Sequence, residues 1–326
     1  MDVGHGASTA VVLPGRHVVL IDTGPKQAYR RVLGRLILKS AERLTLVLTH
    51  SHRDHCGSAA KLLRDFTGEV ESVWLPDDDA TDGSLLDTIA DVLGSDAPRL
   101  VNRLEANATS DCGVVDDIPL DGGDRMVFAI LSPRMLVARG SQRGESGPDR
   151  RNAGSGIIRV DRRSGNDIKT RVVVGGDADL DRWRDLSPEI LQNADVLVVP
   201  HHGGLIAGGA DKWKEFSGLV PSGSVFFSVA TKSTAAATRH PRPDAVTAFR
   251  DAGCRVFCSQ LTHGCCDDPR AFAGVGPTEP AVCSGHQRVR MGANGVEFPD
   301  ADVAAERVAA VAAAEGGHPL CSATSD

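Results

Sequence analysis

The sequence has few aromatic residues and no long apolar run. Its 326 residues include one tyrosine, three tryptophans and nine phenylalanines, so an aromatic platform that stacks single-stranded nucleic acid is not expected. No stretch reaches the roughly 18 consecutive apolar residues that a membrane span needs. The opening residues, MDVGHGASTAVV, lack the basic region of a secretory signal. These absences predict a cytoplasmic protein that does not associate with membranes.

Basic residues are also fewer than acidic ones, 36 against 43. The net charge is -7 and the pI is about 5.9, so the chain has no global attraction to nucleic acid, and a polyanionic substrate would need a local basic patch or a bound metal. The apolar content of 41% and charged content of 24% are ordinary for a globular protein. Eight cysteines without a secretory signal predict free thiols or metal ligands rather than a disulfide framework.

Several predicted strands end directly in aspartate or histidine. VVLIDTG contains Asp22, LTLVLTHSHRDH reaches His50, TRVVVGGDAD contains Asp177, and DVLVVPHHGG contains His201 and His202. Loops at the ends of strands are where a rigid α/β scaffold carries its functional side chains. Four such endings in one chain predict a common site.

The densest of these endings is THSHRDHCG, residues 49–57. His50 and His52 are two positions apart, so an extended chain directs both side chains to the same side. A turn after His52 can bring Asp54 and His55 to a second, adjacent point. Imidazole and carboxylate ligands suit Zn²⁺, Mn²⁺ or Fe²⁺, and this spacing favours two neighbouring ions over one. A histidine-rich surface loop is the alternative.

These motifs resemble those of a known family. HSHRDH matches the HxHxDH motif of the metallo-β-lactamase superfamily, whose α/β (α+β) fold is a four-layer αββα sandwich. TAVVL and HVVLID, separated by PGR, resemble its opening hairpin, and VVVGGDAD resembles its later aspartate motif. DVLVVPHHGG, NAGSGIIRV (152–160) and the Gly-His-Pro-like element with Arg239 resemble the ComEC-like subgroup, named for the hydrolase domain of a competence protein. The resemblance covers residues 1–260.

The resemblance implies a set of roles around a centre of one or two Zn²⁺ ions, with Mn²⁺ as an alternative. His50 and His52 would ligate one ion, Asp54 and His55 would ligate the other, and Asp177 would bridge them. The full set of implied metal ligands is His50, His52, Asp54, His55, Asp177, His201 and His202. The candidate catalytic residues are Asp54, Asp177 and His240.

Two ligand positions stay open. Many superfamily hydrolases carry a further histidine before the bridging aspartate, whereas this chain has none between His55 and His201. The candidates to replace it, or to lie near a weaker first site, are Asn152, Ser155, Asp111 and Cys112. Because adjacent residues of an extended segment point in opposite directions, only one of His201 and His202 is expected to face the metals, and His201 is preferred.

Three further residues are expected near the site. Asp22 is predicted to orient a ligand rather than to bind metal itself. His5 lies in a glycine loop that is expected to approach the site. His240 could be a metal ligand, a proton donor to the leaving group or a phosphate contact, and the alternative for it is a histidine without a role.

Residues 261–326 are predicted to be a C-terminal extension packed on the same domain, with a frayed tail. QRVRMGANGVEF predicts a hairpin with its turn at Asn294–Gly295. A cluster of thiols and imidazoles could hold a structural Zn²⁺, with incidental thiols as the alternative. Its members are Cys254, Cys258, His263, Cys265, Cys266, Cys283 and His286.

The sequence thus predicts a metal-dependent hydrolase that attacks with a metal-bound hydroxide. The resemblance favours a phosphodiesterase or nuclease acting on DNA or nucleotides, so nucleic acid or a nucleotide is the expected partner. Four arginines of a polar loop could contact phosphate or be merely solvated: Arg139, Arg143, Arg150 and Arg151. The alternatives are hydrolysis of a thioester, lactone or β-lactam, and a non-catalytic binding module of the same fold.

Overall fold

The fold is taken from a computed structural model of the chain. The described ranges are 6–29, 41–76, 84–104, 113–131, 154–204, 209–229, 240–259 and 288–300, with single positions at 1, 3, 33, 34, 37, 39, 152, 302 and 306.

The first sheet has five strands in the order β1-β2-β3-β4-β5. β1 and β2 form the predicted hairpin, in which Gly15 adopts the left-handed conformation (φ 68°) that a tight turn requires. The other neighbours are parallel. The strands are β1 Thr9–Leu13, β2 His17–Ile21, β3 Arg43–Val47, β4 Glu69–Pro76 and β5 Val101–Leu104.

The second sheet has seven strands in the order β12-β11-β10-β9-β8-β7-β6. The pairs from β6 to β9 are antiparallel and the pairs from β9 to β12 are parallel. The strands are β6 Gly113–Pro119, β7 Asp124–Ile130, β8 Ile158–Ser164, β9 Asp167–Val174, β10 Ala194–Val198, β11 Ser222–Phe227 and β12 Arg255–Cys258.

Short helices connect these strands. The helices are α1 Arg53–Cys56, α2 Ala59–Asp65, α3 Ser84–Leu93, α4 Ala97–Leu100, α5 Leu180–Arg184, α6 Pro188–Leu191, α7 Ala210–Leu219 and α8 Pro243–Asp251. Pro188 is the first residue of α6, which begins after α5 has ended. Among the described residues, no helix is long and apolar enough to cross a membrane.

The side chains of β2 alternate between two buried surfaces. Val19 packs with Phe128 of β7 in the core between the two sheets, whereas Leu20 packs in a separate core with Leu62 of α2. This alternation follows from the two-residue period of a strand, and because both faces of β2 are covered, all five of its residues are buried.

Three apolar cores therefore separate four layers. One lies between the two sheets, one lies between the first sheet and α2 and α3, and one lies between the second sheet and α5, α7 and α8. Trp213 of α7 and Phe249 of α8 are large buried side chains of the third core. The expected four-layer αββα sandwich is confirmed.

A C-terminal hairpin of β13 (Arg290–Gly292) and β14 (Gly295–Glu297) packs on the inner face of the second sheet. Gly292 pairs with Gly295, so the turn lies at residues 293 and 294 and the predicted position at Asn294–Gly295 was wrong by one residue. Gly295, with φ 124°, begins β14 instead of completing the turn. Phe298 stacks on Phe226 and Phe257, which attaches this segment to the sheet.

His17 is a buried titratable group on β2, away from the four strand endings. It is 2% exposed, and its Nε2 lies 3.0 Å from Thr45 Oγ1. Burial and then the charge of Arg43 lower the pKa of His17, against the opposing effects of Asp116 and Glu71. The folded chain therefore binds a proton at His17 less readily than the unfolded chain does.

We expect His17 to make the free energy of unfolding depend on pH. Its contribution is fully present above the unfolded pKa of about 6.5 and is lost as the pH falls through the lower folded pKa. Urea unfolding between about pH 7.5 and pH 5 should therefore be less pH-dependent in His17→Gln, by up to roughly 1.4 kcal/mol per pH unit. Parallel pH profiles for the two proteins would contradict this, because the other titrating groups are common to both.

Candidate metal centre

The candidate site lies at one edge of the two sheets, where four strands end. Asp22 follows β2 and His50 follows β3 in the first sheet, while Asp177 follows β9 and His202 follows β10 in the second. β2 and β3 are parallel neighbours, as are β9 and β10, so the carboxyl ends of each pair lie at the same edge. The common site predicted from the four strand endings is thus assembled by sheet topology.

One main-chain hydrogen bond joins the two sheets at this edge. Gly156, which precedes β8, donates its N–H to the carbonyl of Thr49, which follows β3, at 2.8 Å. Within the second sheet, the N–H of His201 donates to the carbonyl of Gly176 at 3.0 Å. Backbone contacts therefore set the relative positions of the loops that carry the polar side chains.

The first group consists of His50, His52 and Asp177. His50 Nε2 lies 3.0 Å from His52 Nδ1 and 3.5 Å from Asp177 Oδ2. Two nitrogens that share one tetrahedral Zn²⁺ at about 2.0–2.1 Å lie roughly 3.3 Å apart. The three ligand atoms thus have the spacing that a common ion imposes.

The second group consists of Asp54, His55 and His202. Asp54 Oδ2 lies 3.3 Å from His202 Nε2. Burial opposes ionisation of Asp54, but the hydrogen bond and charge of His202 and the charge of His55 lower its pKa well below the usual range. Asp54 is therefore a carboxylate that can serve as an anionic ligand.

Asp177 faces both groups at once. Its Oδ2 is directed at His50, and its Oδ1 lies 3.1 Å from His55 Nε2. The residue is 4% exposed; burial would raise its pKa, but the charges of His55 and His50 hold the pKa well below the usual range. A carboxylate with one oxygen in each group has the geometry needed to join two ions.

Two buried atoms at the centre point to a cation. Asp177 Oδ1 and His55 Nε2 have no hydrogen-bond partner among the described residues, although they lie 3.1 Å apart. Buried polar atoms are nearly always satisfied, so each such exception needs a physical explanation. A divalent ion satisfies both atoms, and the imidazole and carboxylate donors fit Zn²⁺ or Mn²⁺.

Asp22 supports the site from behind. Its carboxylate is fully buried, accepts from Thr49 N–H and Oγ1–H at 2.8 Å each, and has Oδ2 2.7 Å from His55 Nδ1. Burial would lower the pKa of His55, but the carboxylates of Asp177 and Asp22 raise it well above the usual range. This geometry agrees with the orienting role expected for Asp22, since it directs His55 Nε2 toward Asp177.

The geometry favours His202 over His201. Both residues are left-handed (φ 52° and 51°) within a tight turn at Pro200–Gly203, so the premise of an extended segment was wrong. In this turn the His202 ring faces Asp54, while the half-buried His201 lies outside both groups. Positive φ is strained for residues other than glycine, and such strain is concentrated at functional sites.

His240 lies beside the second group without joining it. It is 9% exposed, and its ring centroid is 5.9 Å from that of His201 and 6.1 Å from that of His202. A Cβ at Gly204 would lie 2.2 Å from His240 Cε1, so only glycine allows this approach. His240 is thus built into the wall of the site.

The structure describes two of the four residues proposed to replace a third histidine. Ser155 Oγ lies 3.4 Å from His50 Nδ1, on the side of the ring away from Nε2, so it is not placed as a ligand of the same ion. Asn152 is 8% exposed, and its Oδ1 has no hydrogen-bond partner in the described part of the chain. Asp111 and Cys112 lie outside the described residues.

The glycine loop near the start of the chain does approach the site. Gly6 (φ 141°) packs so closely on Asp54 that a Cβ would lie 2.3 Å from the Asp54 carbonyl oxygen. Ser228 donates its hydroxyl to the carbonyl of Gly6 at 2.5 Å. His5 itself lies outside the described residues.

Thr49 was not singled out from the sequence. Its hydroxyl links His50 to Asp22. The sequence feature that could have indicated this role is a threonine directly before the first histidine of THSH. Of the possible second zinc site, Cys254 and Cys258 are buried thiols, and burial raises the pKa of Cys254. The remaining members of that cluster, the four loop arginines and Arg239 lie outside the described residues.

Comparison with known proteins gives one family match. The model of the metallo-beta-lactamase superfamily matches residues 1–124. No curated protein matches the sequence.

Several solved structures are similar to this chain. The short form of human tRNase Z is 16% identical with a TM-score of 0.43, covering 70% of this chain and 90% of its own. A metallo-hydrolase from Ignicoccus hospitalis is 15% identical with a TM-score of 0.42, covering 78% and 91%. A metal-dependent hydrolase of the β-lactamase superfamily is 13% identical with a TM-score of 0.39, covering 79% and 88%. All three TM-scores are below 0.5.

We expect Asp22→Asn to weaken zinc binding by roughly 10- to 100-fold. The amide NH₂ of the asparagine would replace one carboxylate oxygen and would face another donor, either the Nδ1–H of His55 or the N–H and hydroxyl of Thr49. The His55 ring would then lose the acceptor that orients it. Competition with a chromophoric chelator measures the affinity. Asp195→Asn is the matched control, since Asp195 also accepts a backbone N–H (Arg171, 2.7 Å) but lies at the start of β10, at the end of the strand away from the site. Equal affinities in the two variants would contradict the role of Asp22.

The family match and the structure agree on the fold. The family match covers the first sheet and the HxHxDH loop, and the structure adds the second sheet with Asp177 and His202. The chain thus has the metallo-beta-lactamase fold, is similar to the metallo-beta-lactamase superfamily over residues 1–124, and carries two groups of histidine and aspartate that could hold metal ions.

Proposed function

We propose that this protein is a metal-dependent phosphodiesterase acting on DNA or nucleotides. The observation that carries the proposal is Asp177, whose two oxygens face two different ligand groups. A shared carboxylate between two adjacent groups suits a pair of ions, and paired ions suit displacement at phosphorus because they stabilise both the attacking and the leaving oxygen.

The proposal divides the residues between two ions. His50 and His52 would hold the first ion, Asp54, His55 and His202 would hold the second, and Asp177 would contribute to both. When bound, Zn²⁺ or Mn²⁺ supplies Lewis acidity and an activated water nucleophile.

The surrounding residues orient the histidine rings and supply a proton to the leaving group. Asp54 stays ionised and keeps the His202 ring turned into the site through their 3.3 Å contact. His240, which lines the wall beside this pair, is proposed to donate a proton to the leaving oxygen or to contact the substrate phosphate. Asp22 keeps His55 aligned with Asp177 through its 2.7 Å contact.

The choice of a phosphodiester is supported by the sequence resemblance and by local charge. VPHHGG and NAGSGIIRV resemble the elements of the ComEC-like subgroup, as the sequence indicated. Arg53 presents an exposed side chain between His52 and Asp54, and a cation at this position could attract a phosphate to a chain that is acidic as a whole. A cytoplasmic location is part of the same proposal.

Two alternatives use the same scaffold. A thioester, lactone or β-lactam hydrolase would need the same ligand groups, whereas a non-catalytic binding module would not need bound metal. Metal analysis of the purified protein separates the binding module from the hydrolases. A substrate panel of DNA, RNA, bis-p-nitrophenyl phosphate and a β-lactam separates the hydrolases, and cleavage of the β-lactam alone would refute the phosphodiesterase proposal.

We expect Asp177→Asn to lower kcat on the cleaved phosphodiester by more than about 100-fold. Weakening the link between two ions removes several kcal/mol of charge stabilisation, and each 1.4 kcal/mol is tenfold in rate. Chelation should abolish the activity and added Zn²⁺ or Mn²⁺ should restore it. Full activity of Asp177→Asn would show that the centre lies elsewhere.

We expect His202→Ala and His201→Ala to differ strongly. The two residues are adjacent and share one turn, so each is the matched control for the other. His202→Ala should lose metal from the second group and lower kcat by at least about tenfold, while His201→Ala should retain its metal content. Metal content by mass spectrometry and steady-state rates measure both effects, and the reverse pattern would make His201 the ligand.

A further inference from the structure

A buried serine connects the two sheets behind the first ligand group. Ser155 is 0% exposed and lies between the backbone of Asp177 and the ring of His50. Its Oγ accepts the N–H of Asp177 at 2.9 Å and lies 3.4 Å from His50 Nδ1. One hydroxyl therefore touches both loops that carry the first group.

The space around this hydroxyl is closely fitted. Gly176 has φ 52°, and a Cβ at that position would lie 2.4 Å from Ser155 Oγ. The adjoining Gly156 N–H is bonded to the carbonyl of Thr49 at 2.8 Å. The serine is thus held in place by the backbone on both sides, and its contact with His50 is set by the fold.

The two ring nitrogens of His50 have different surroundings. Nε2 faces His52 and Asp177, whereas Nδ1 faces Thr49 Oγ1 at 3.1 Å and Ser155 Oγ at 3.4 Å. For Nε2 to offer a lone pair to a cation, the ring proton must be on Nδ1. The two hydroxyls must then accept a hydrogen bond from Nδ1.

Both hydroxyls are able to accept. Thr49 donates its own hydrogen to Asp22 Oδ2 at 2.8 Å, which leaves its lone pairs available to His50. Ser155 Oγ uses one lone pair for the Asp177 N–H and retains the other. In the reverse arrangement, Ser155 would donate to Nδ1, and the ring proton would lie on Nε2, where it blocks a ligand bond.

We propose that Ser155 is a positioning residue that holds His50 in the Nδ1–H tautomer and couples its orientation to the Asp177 loop. The consequence for metal binding depends on the proposed metal centre, whereas the tautomer itself does not. Ser155 then contributes to the first group through His50 and not as the substitute for a third histidine.

The tautomer can be read directly by NMR. The full chain, labelled with ¹⁵N-histidine and stripped of metal, is examined in a long-range ¹H–¹⁵N spectrum at about pH 8.5, above the ordinary histidine pKa. His50→Gln identifies the His50 signals. We expect Nδ1–H in the wild type. In Ser155→Ala, Thr49 Oγ1 is left to accept from Nδ1 without Ser155, so we expect a mixture with the Nε2–H form and a zinc affinity lowered by roughly 10- to 100-fold.

Ser58→Ala is the matched control. Ser58 is also 0% exposed and makes two hydrogen bonds, to the carbonyl of Pro25 at 2.7 Å and from the N–H of Tyr29 at 3.2 Å. It should lose stability like Ser155→Ala while leaving the His50 tautomer and the zinc affinity unchanged. If Ser155→Ala does not fold, Ser155→Cys retains the size of the side chain with a weaker acceptor and should shift the tautomer in the same direction.

The outcomes separate the two proposals. An Nε2–H tautomer in the wild type, or an unchanged tautomer in the serine variants, would overturn the role of Ser155. A wild type with the expected tautomer that binds no Zn²⁺ or Mn²⁺ would instead refute the proposed metal centre and leave the role of Ser155 standing.

Discussion

The carboxylate of Asp177 is the group on which the rest of the site depends. It is a buried charge at the end of β9, with His50 and His55 of the other sheet on either side of it. A buried charge is costly unless it is compensated, so the two sheets must meet with these histidines in register. The polar centre thus constrains how the two halves of the sandwich pack.

Further polar contacts behind the ligands maintain that register. Asp22 contacts His55 directly and His50 through the Thr49 hydroxyl. All four residues lie on segments that follow strands of the first sheet. Ser155 approaches His50 from the second sheet. Each contact acts on the Nδ1 side of a histidine, which leaves Nε2 available toward Asp177, as metal-ligating histidines require.

The backbone is strained or closely packed at the same edge. His201 and His202 are left-handed, and Gly176 and Gly204 leave no room for a Cβ against Ser155 and His240. Such positions persist only when the surrounding structure stabilises them. The three apolar cores provide that stabilisation, which is why the site lies at the ends of buried strands and not on a free surface loop.

Much of the fold and half of the site could be predicted from local sequence. The strand endings and the HxHxDH spacing predicted His50, His52, Asp54 and His55 as candidate ligands, because the local turn alone brings residues close in sequence together. The opening hairpin was expected in the same way from TAVVL and HVVLID on either side of PGR. The turn of the C-terminal hairpin was misplaced by one residue, since strand pairing and not the Asn-Gly dipeptide sets its position.

The remaining half depended on contacts between residues far apart in the chain. The sequence by itself determined which side chains are able to hold a metal, since the ligand types and their local spacing are covalent properties. Only the tertiary structure decided that His202 and not His201 faces Asp54, that each oxygen of Asp177 serves a different group, and that Ser155 lies behind His50. The physical reason is that a left-handed turn and the packing of two sheets set these orientations, and neither is encoded within a few neighbouring residues.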